Sequence, residues 1–451
     1  MVFCVINIDK IRAKTMDQKS SGHPDPRKRI LLRGAMNQFN FGDDLILFSL
    51  CEFMNKVCGI SASDAIFYVS RNAGSFFKMR YSAPIHLEII DDQLVSHSVQ
   101  NEASRTSAVG RIWFAIKMAL RLLCPDRSAG KIIRLLFHAT ALFFEALIFR
   151  LIGITFHYRR LFDFYKSLDV IYYVGGGYLV SRWRNVLVRE WLLVTAAKLA
   201  NPCLKVIGTG LGLGPMVGKK DKVLLKLMLS QFSFIAVRER KSLELLDQLR
   251  VNTVKKLLGD DVILLHPFFE EIKRKNATCG KMAAMNLKHF IDHDYNLVRG
   301  VMQQGIDHLR SKNYTIEIFE FGQVPGPDDQ SVVNQLGFLC DAVHNPYKKG
   351  CESFLNHLAR ASMGVGFAYH FAIVMILLGK PLTSIYMGDY YEQKIKYGAE
   401  YFYQIPALST KEFAKLDVKE WGSMPICSSD ELRSLYQKMA NEYQTLFRNF
   451  S

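Results

Sequence analysis

The sequence predicts an α/β protein of two similar halves, each a parallel sheet covered by helices, enclosing a cleft between them. Three observations predict it: short apolar runs rich in β-branched or aromatic residues alternate with longer helical stretches; several runs end in glycine; and the series occurs twice, separated by a charged run. The 451 residues suffice for two or three domains. With 49% hydrophobic and 22% charged residues, and only 30 Gly and 13 Pro, the composition excludes a largely disordered or collagen-like chain.

Residues 1–29 read as a flexible leader, because Thr15 to Arg29 mix Ser, Gly, Pro and basic residues without an apolar period. An N-terminal domain is expected over 30–270, with strands at Ile30 to Gly34, Ala65 to Ser70, Val170 to Val174, Lys205 to Gly208 and Phe234 to Val237. A C-terminal domain is expected over 271–451, with strands at Met282 to Asn286, Tyr314 to Phe319, Met363 to Phe367 and Leu382 to Tyr386 and a closing C-terminal helix. Near-continuous apolar strands belong to parallel sheets covered on both faces. Ligands bind such sheets outside the carboxyl ends of the strands, so the site is expected between the halves.

A basic, apolar helical insertion at about 111–165 departs from this plan. Its run from Leu135 to Phe156 is long enough to span a bilayer, but His138, Glu145 and Arg150 fall inside it. A charge at the membrane centre costs roughly 2.5–3.5 kcal/mol on insertion scales. Two readings stay open: helices packed on the protein, or an amphipathic segment lying on an anionic membrane surface.

The 58 Lys+Arg against 42 Asp+Glu give a net charge of +16, which favours anions: phosphorylated metabolites, acidic headgroups or nucleic acid. No nucleic-acid reading module is recognisable, and no nucleic-acid partner is expected. The nine cysteines are odd in number and include no pair at two-residue spacing, so reduced thiols of a cytoplasmic protein are expected rather than a disulfide framework or a zinc ribbon. The start reaches Asp9 before a signal-peptide core could form.

The candidate site residues follow the strands. Gly175, Gly176 and Gly177 come directly after Val174, where glycine lets backbone approach a ligand and turns amides toward an anion, or simply makes a tight turn. Gly212 and Gly214 belong to a second cluster behind an apolar strand, with neither a dinucleotide fingerprint nor a Walker-type lysine. Asn40, Asp43 and Asp44 precede an apolar helix, where capping is an equally available role. Arg238 stands just past a strand, the place for a cleft-facing anion ligand.

Taken in order, these motifs resemble the polysaccharide pyruvyl transferase family. Its pattern is matched by Gly34 and Asn40-Phe-Gly42-Asp43, then Asp169 leading through a strand to Gly175-Gly-Gly177. Gly212-Leu-Gly214-Pro215, Val237-Arg238-Glu239 with Ser242, and Asp260 follow. The second half adds His370, Gly379-Lys380-Pro381, Ile385-Tyr386 and Lys394, so that the resemblance covers about residues 28 to 400. One position departs: family members usually carry arginine two residues before the histidine, and Ala368 stands there.

The resemblance implies two Rossmann-like domains in a glycosyltransferase-B-like fold. It also implies transfer of a pyruvyl group from phosphoenolpyruvate to a sugar of a cell-surface polysaccharide or its lipid-linked precursor, forming a ketal. No metal or other cofactor is implied beyond phosphoenolpyruvate as co-substrate. His370 would handle the proton, as an imidazole titrating near neutrality can. Arg238, Lys394 and Lys380 would hold the donor, the two glycine turns would supply amides, and Asn40, Asp43 and Asp44 would face the acceptor. A cytoplasmic location is expected, with peripheral attachment to the inner face of the membrane left open. The alternative is a membrane-associated glycan-assembly scaffold of the same fold, which Ala368 favours.

Overall fold

The computed structural model describes residues 27–34, 40–70, 85–90, 144–148, 150–151, 158–276, 280–287, 296–322, 334, 337, 340–400, 407–421 and 427–448. Most of the expected leader (1–29) and most of the insertion at 111–165 lie outside the described residues.

The N-terminal half is a parallel sheet. Its strands are β1 (Lys28–Gly34), β2 (Ala65–Ser70), β3 (His86–Ile90), β4 (Val170–Val174), β5 (Gly176–Leu179), β6 (Lys205–Leu213), β7 (Phe234–Val237) and β8 (Val254–Leu257). They lie in the order β3-β2-β1-β4-β6-β7-β8, with β5 pairing with β6 beside that path. Helices α1 (Phe41–Lys56), α2 (Arg159–Ser167), α3 (Arg184–Ala200), α4 (Lys219–Leu229), α5 (Arg240–Gln248) and α6 (His266–Lys275) accompany it. All five residues of β4 are buried, as a central strand covered on both faces requires.

The C-terminal half is a six-stranded parallel sheet in the order β11-β10-β9-β12-β13-β14. Its strands are β9 (Met282–Asn286), β10 (Thr315–Phe319), β11 (Ala342–His344), β12 (Met363–Gly366), β13 (Leu382–Tyr386) and β14 (Ala407–Ser409). Helices α7 (Asn296–Ser311), α8 (Pro346–Lys349), α9 (Cys351–Leu358), α10 (Tyr369–Leu377), α11 (Gly388–Tyr391) and α12 (Thr410–Phe413) connect them, with a π-helical stretch at Glu392–Glu400. The final helix, α13 (Ser429–Arg448), returns to the first half: Tyr443 donates to Asp261, and Phe447 packs 5.7 Å from the Tyr172 ring.

Both sheets reverse strand order in the middle, between β1 and β4 in one and between β9 and β12 in the other. At the first reversal, Gly34 pairs with Val174 and has φ +141; a side chain there would place Cβ 2.3 Å from the Val174 carbonyl oxygen. At the second, Gly366 pairs with Asn286. Such reversals are where open α/β sheets bind ligands.

The halves meet through apolar packing. Phe41 lies 5.2 Å from Phe321 and 5.0 Å from Phe354, its N–H donates to the Phe321 carbonyl, and Asn40 bridges Gly322. Every residue of α10 is buried, which explains why its sequence is apolar all round rather than striped. Of the insertion, Ala146 is buried against the neighbourhood of α2 while Phe144 and Leu151 are exposed. No helix among the described residues is long and apolar enough to cross a membrane.

Candidate active site

His370 is placed by the second strand reversal. Asn286 ends β9, and its Oδ1 accepts from the Ala368 N–H at 2.8 Å while its Nδ2 donates to the Phe319 carbonyl at 2.9 Å. That clamp fixes Ala368 as the N-cap of α10 and sets His370 in the first turn. From the other half, Gly42 lies against the ring: a Cβ there would stand 1.9 Å from Nδ1. The imidazole therefore sits at the junction of the halves, beside the carboxyl ends of both sheets.

Its Nε2 is buried, has no hydrogen-bond partner among the described residues, and lies 3.7 Å from Asp260 Oδ2, beyond hydrogen-bond length but within electrostatic reach. Burial pushes the His370 pKa down to about 4; Asp260 pulls it up, and Lys394 and Arg238 push it further down. Burial alone would raise the Asp260 carboxyl, but His370, Arg238 and the Val262 N–H outweigh it and hold it at about 2. At neutral pH a neutral imidazole thus faces a carboxylate.

Arg238 is wholly buried. Its Nε donates to Glu239 Oε2 at 3.1 Å and its Nη1 to Asp260 Oδ2 at 3.2 Å, and its guanidinium lies 4.7 Å over the Tyr369 ring. Burial opposes the guanidinium's charge, yet Glu239, Tyr369 and Asp260 more than compensate and raise its pKa. The expected anion ligand is therefore engaged by two carboxylates of its own half.

The glycine turns are explained by these side chains. A Cβ at Gly177 would stand 2.8 Å, and one at Gly212 2.7 Å, from Arg238 Nη2, so both positions make room for the guanidinium. The Gly175 N–H donates to Asp261 at 3.3 Å, the Gly177 carbonyl accepts from the Tyr390 hydroxyl at 2.8 Å, and the Gly214 N–H donates to the Leu179 carbonyl at 3.0 Å. Gly176 (φ +127) and Gly214 (φ +80) occupy backbone regions that disfavour side chains. Of the amides expected to face a donor, those of Gly175 and Gly214 are committed internally.

Lys394 is half-buried, 5.4 Å over Tyr369 and 5.8 Å over Tyr390, so Tyr369 carries a cation contact with both Arg238 and Lys394. Lys380 is not brought to this place: it follows the carboxyl end of α10 and precedes β13, a full helix length of about 13 Å from His370. Asn40 Nδ2 donates to Asp43 Oδ2 at 2.9 Å, and Asp44 accepts from the Tyr347 hydroxyl of the other half at 2.7 Å. Asp44 thus ties the halves together. Asp169 sits at the opposite, amino end of the sheet, just before central strand β4, accepting from the Arg29 N–H.

Sequence reasoning gave no role to Asp261, Tyr369, Tyr390 or Asn286. Asp261 accepts from Gly175, Thr209 and Tyr443, and burial is the main cause that raises its carboxyl to about 7. The acidic pair Asp260-Asp261 after Gly259 was the available signal. A pocket of 330 Å³ lies at the rim rather than at His370, lined by Val180, Ser181, Arg182, Pro215, Val217 and Tyr390; Tyr390 connects it to Gly177 and Lys394.

No curated protein matches the chain. Among solved structures, E. coli heptosyltransferase WaaC with ADP is similar at 13% identity and TM-score 0.40, covering 87% of this chain and 97% of that one. The S. aureus MnaA-UDP co-structure is similar at 9% identity and TM-score 0.47, covering 92% and 90%. The α,α-trehalose 6-phosphate synthase of Burkholderia multivorans is similar at 8% identity and TM-score 0.46, covering 94% and 97%. The sequence model for polysaccharide pyruvyl transferase matches residues 40–389, a span that holds the His370, Asp260 and Arg238 cluster and the second strand reversal, and the chain belongs to that family.

Proposed function

We propose that the protein transfers a pyruvyl group from phosphoenolpyruvate to a sugar of a cell-surface polysaccharide or its lipid-linked precursor, closing a ketal over two hydroxyls. The observation that carries this reading is the buried Nε2 of His370, without a hydrogen-bond partner among the described residues and held at the meeting point of both sheets' carboxyl ends. A buried polar atom without a partner is costly in a finished fold, and a substrate atom would satisfy it.

In this reading the donor's negative charge raises the proton affinity of His370, which then delivers a proton to the terminal enol carbon. A sugar hydroxyl attacks the neighbouring carbon and loses its proton; the bond to phosphate breaks; a second hydroxyl closes the ring and loses its proton. Lys394 and the amino end of α10 lie nearest to hold the anion. Asp260 orients the imidazole and stabilises its protonated form. The site lies on the cytoplasmic side, and the net charge of +16 suits peripheral attachment to an anionic membrane that carries the acceptor.

The test is acceptor-dependent phosphate release from phosphoenolpyruvate over a panel of nucleotide-linked and lipid-linked sugars. Folded protein that releases none sinks the reading. A second reading, a glycan-assembly scaffold without turnover, is favoured by Ala368 and by the double engagement of Arg238. It expects His370→Ala to preserve the biological role, whereas the transferase reading expects its loss.

A further inference from the structure

We propose that Glu317, His344 and His357 form a binding site for one divalent transition-metal ion of the zinc class, within the C-terminal half and independent of the transfer reaction. The three residues come from three elements: the middle of β10, the end of β11 and the last turn of α9. Both imidazoles converge on one oxygen, with His344 Nε2 2.6 Å and His357 Nε2 2.7 Å from Glu317 Oε2. All three ligating atoms lie within 4.8 Å of one another.

The donor set decides the ion. Two imidazoles and a carboxylate suit zinc and its neighbours, whereas calcium and magnesium require oxygen ligands. Tetrahedral bonds of about 2.0–2.1 Å set ligand atoms roughly 3.3 Å apart, so an ion asks the trio to open by about 0.6 Å. The His357 side chain is 26% exposed, which gives an ion an entry path and leaves a fourth position for water. Phe319 supports the rings, stacked 4.7 Å from His344 and tilted 6.0 Å from His357.

Lys349 explains how the cluster is held without metal and what must change on binding. Its Nζ lies 3.2 Å from His344 Nδ1, and an ammonium only donates, so Nδ1 accepts and the ring proton sits on Nε2, directed at Glu317. Metal at Nε2 displaces that proton, which reaches Nδ1 through solvent, so a neutral ring changes tautomer with no net proton release. Nδ1–H then repels Lys349, whose exposed residue can turn away. Lys349 is therefore a competitor of the ion. Binding would fix β10, β11 and α9 together beside Asn345 and Tyr347, the latter of which bonds Asp44 across the halves.

The full-length chain, stripped with EDTA, is titrated with Co2+ and then Zn2+. One equivalent of Co2+ showing visible tetrahedral bands without thiolate charge transfer, displaced by Zn2+, and a melting temperature raised by Zn2+ are expected. His357→Ala and Glu317→Gln should lose that equivalent with circular dichroism unchanged, and Lys349→Met should bind several-fold tighter. Folded wild-type protein that takes up no stoichiometric ion, or bands that persist in both ligand variants, would overturn the site. So would an unchanged or weaker affinity in Lys349→Met, a surface substitution that leaves the fold intact.

Discussion

The backbone of Gly42, in the first turn of α1, lies against the imidazole of His370, in the first turn of α10: a Cβ on the glycine would come within 1.9 Å of Nδ1. Two helix amino ends from opposite halves therefore meet on one ring. The glycine of the Asn-x-Gly-Asp motif serves the histidine directly, and the two motifs, 328 residues apart by subtraction of 42 from 370, form one contact.

Gly42→Ala should therefore act on chemistry more than on folding. Overpacking costs about 1–3 kcal/mol, which a chain of this size tolerates, but the ring must move to admit the methyl. Displacement of a reacting group by about 1 Å costs on the order of 100-fold in rate. Transferase kcat should fall by roughly that factor while the chain stays folded by circular dichroism. Wild-type kcat in this variant would show that the ring position does not matter.

Two buried groups give opposite pH dependences of stability. The His370 pKa is depressed from 6.5 to about 4, so between these values the unfolded chain binds the extra proton and stability rises with pH. The Asp261 pKa is raised from 3.8 to about 7, so over that window the folded chain binds the extra proton and stability falls as pH rises. Each slope is about 1.4 kcal/mol per pH unit at most, and in the wild type they nearly cancel between about pH 4 and 6.5. His370→Asn should uncover the falling slope and Asp261→Asn the rising one, read by urea unfolding at a series of pH values. Parallel profiles for both variants would refute the assignment.

The central strands were legible because they are buried on both faces and read as apolar runs: β4 and β9 are examples. The edge strands were not. β8 reads Val-Lys-Lys-Leu, a charged edge that is exposed or half-buried, and β11 and β14 have three residues each; charged and very short edges are two ways by which sheets avoid further pairing. In the site, motif order singled out His370 and Lys394, which the structure sets beside Tyr369, whereas Arg238 is met by two carboxylates and Gly177 and Gly212 make room for its guanidinium. A sequence shows an arginine after a strand, not the two carboxylates that fold back on it. Lys380 is kept from the site for a topological reason: it stands just before the next strand, at the amino end of the sheet, away from the carboxyl ends.

Lys394 and Lys380 should consequently behave differently. Lys394 sits over Tyr369 beside His370, whereas Lys380 lies at the other end of α10. Lys394→Met should raise the KM for phosphoenolpyruvate by about 10-fold or more, the loss of one charge-assisted contact of about 1.5–3 kcal/mol, and Lys380→Met should leave it unchanged. Equal effects would put the donor elsewhere.

Arg238→Met separates a structural cation from a substrate ligand. The substitution leaves Glu239 and Asp260 buried without the guanidinium that pairs with both. Breaking a buried pair from one side costs about 3–5 kcal/mol, so the urea midpoint should fall sharply. His370 loses a positive neighbour that depresses its pKa, and the acid limb of the pH–stability profile should move upward in pH. The double variant Arg238→Met with Asp260→Asn should recover part of the loss, since it removes one of the stranded charges. A residue that only bound donor would show the reverse: unchanged stability, an unchanged profile and a raised KM.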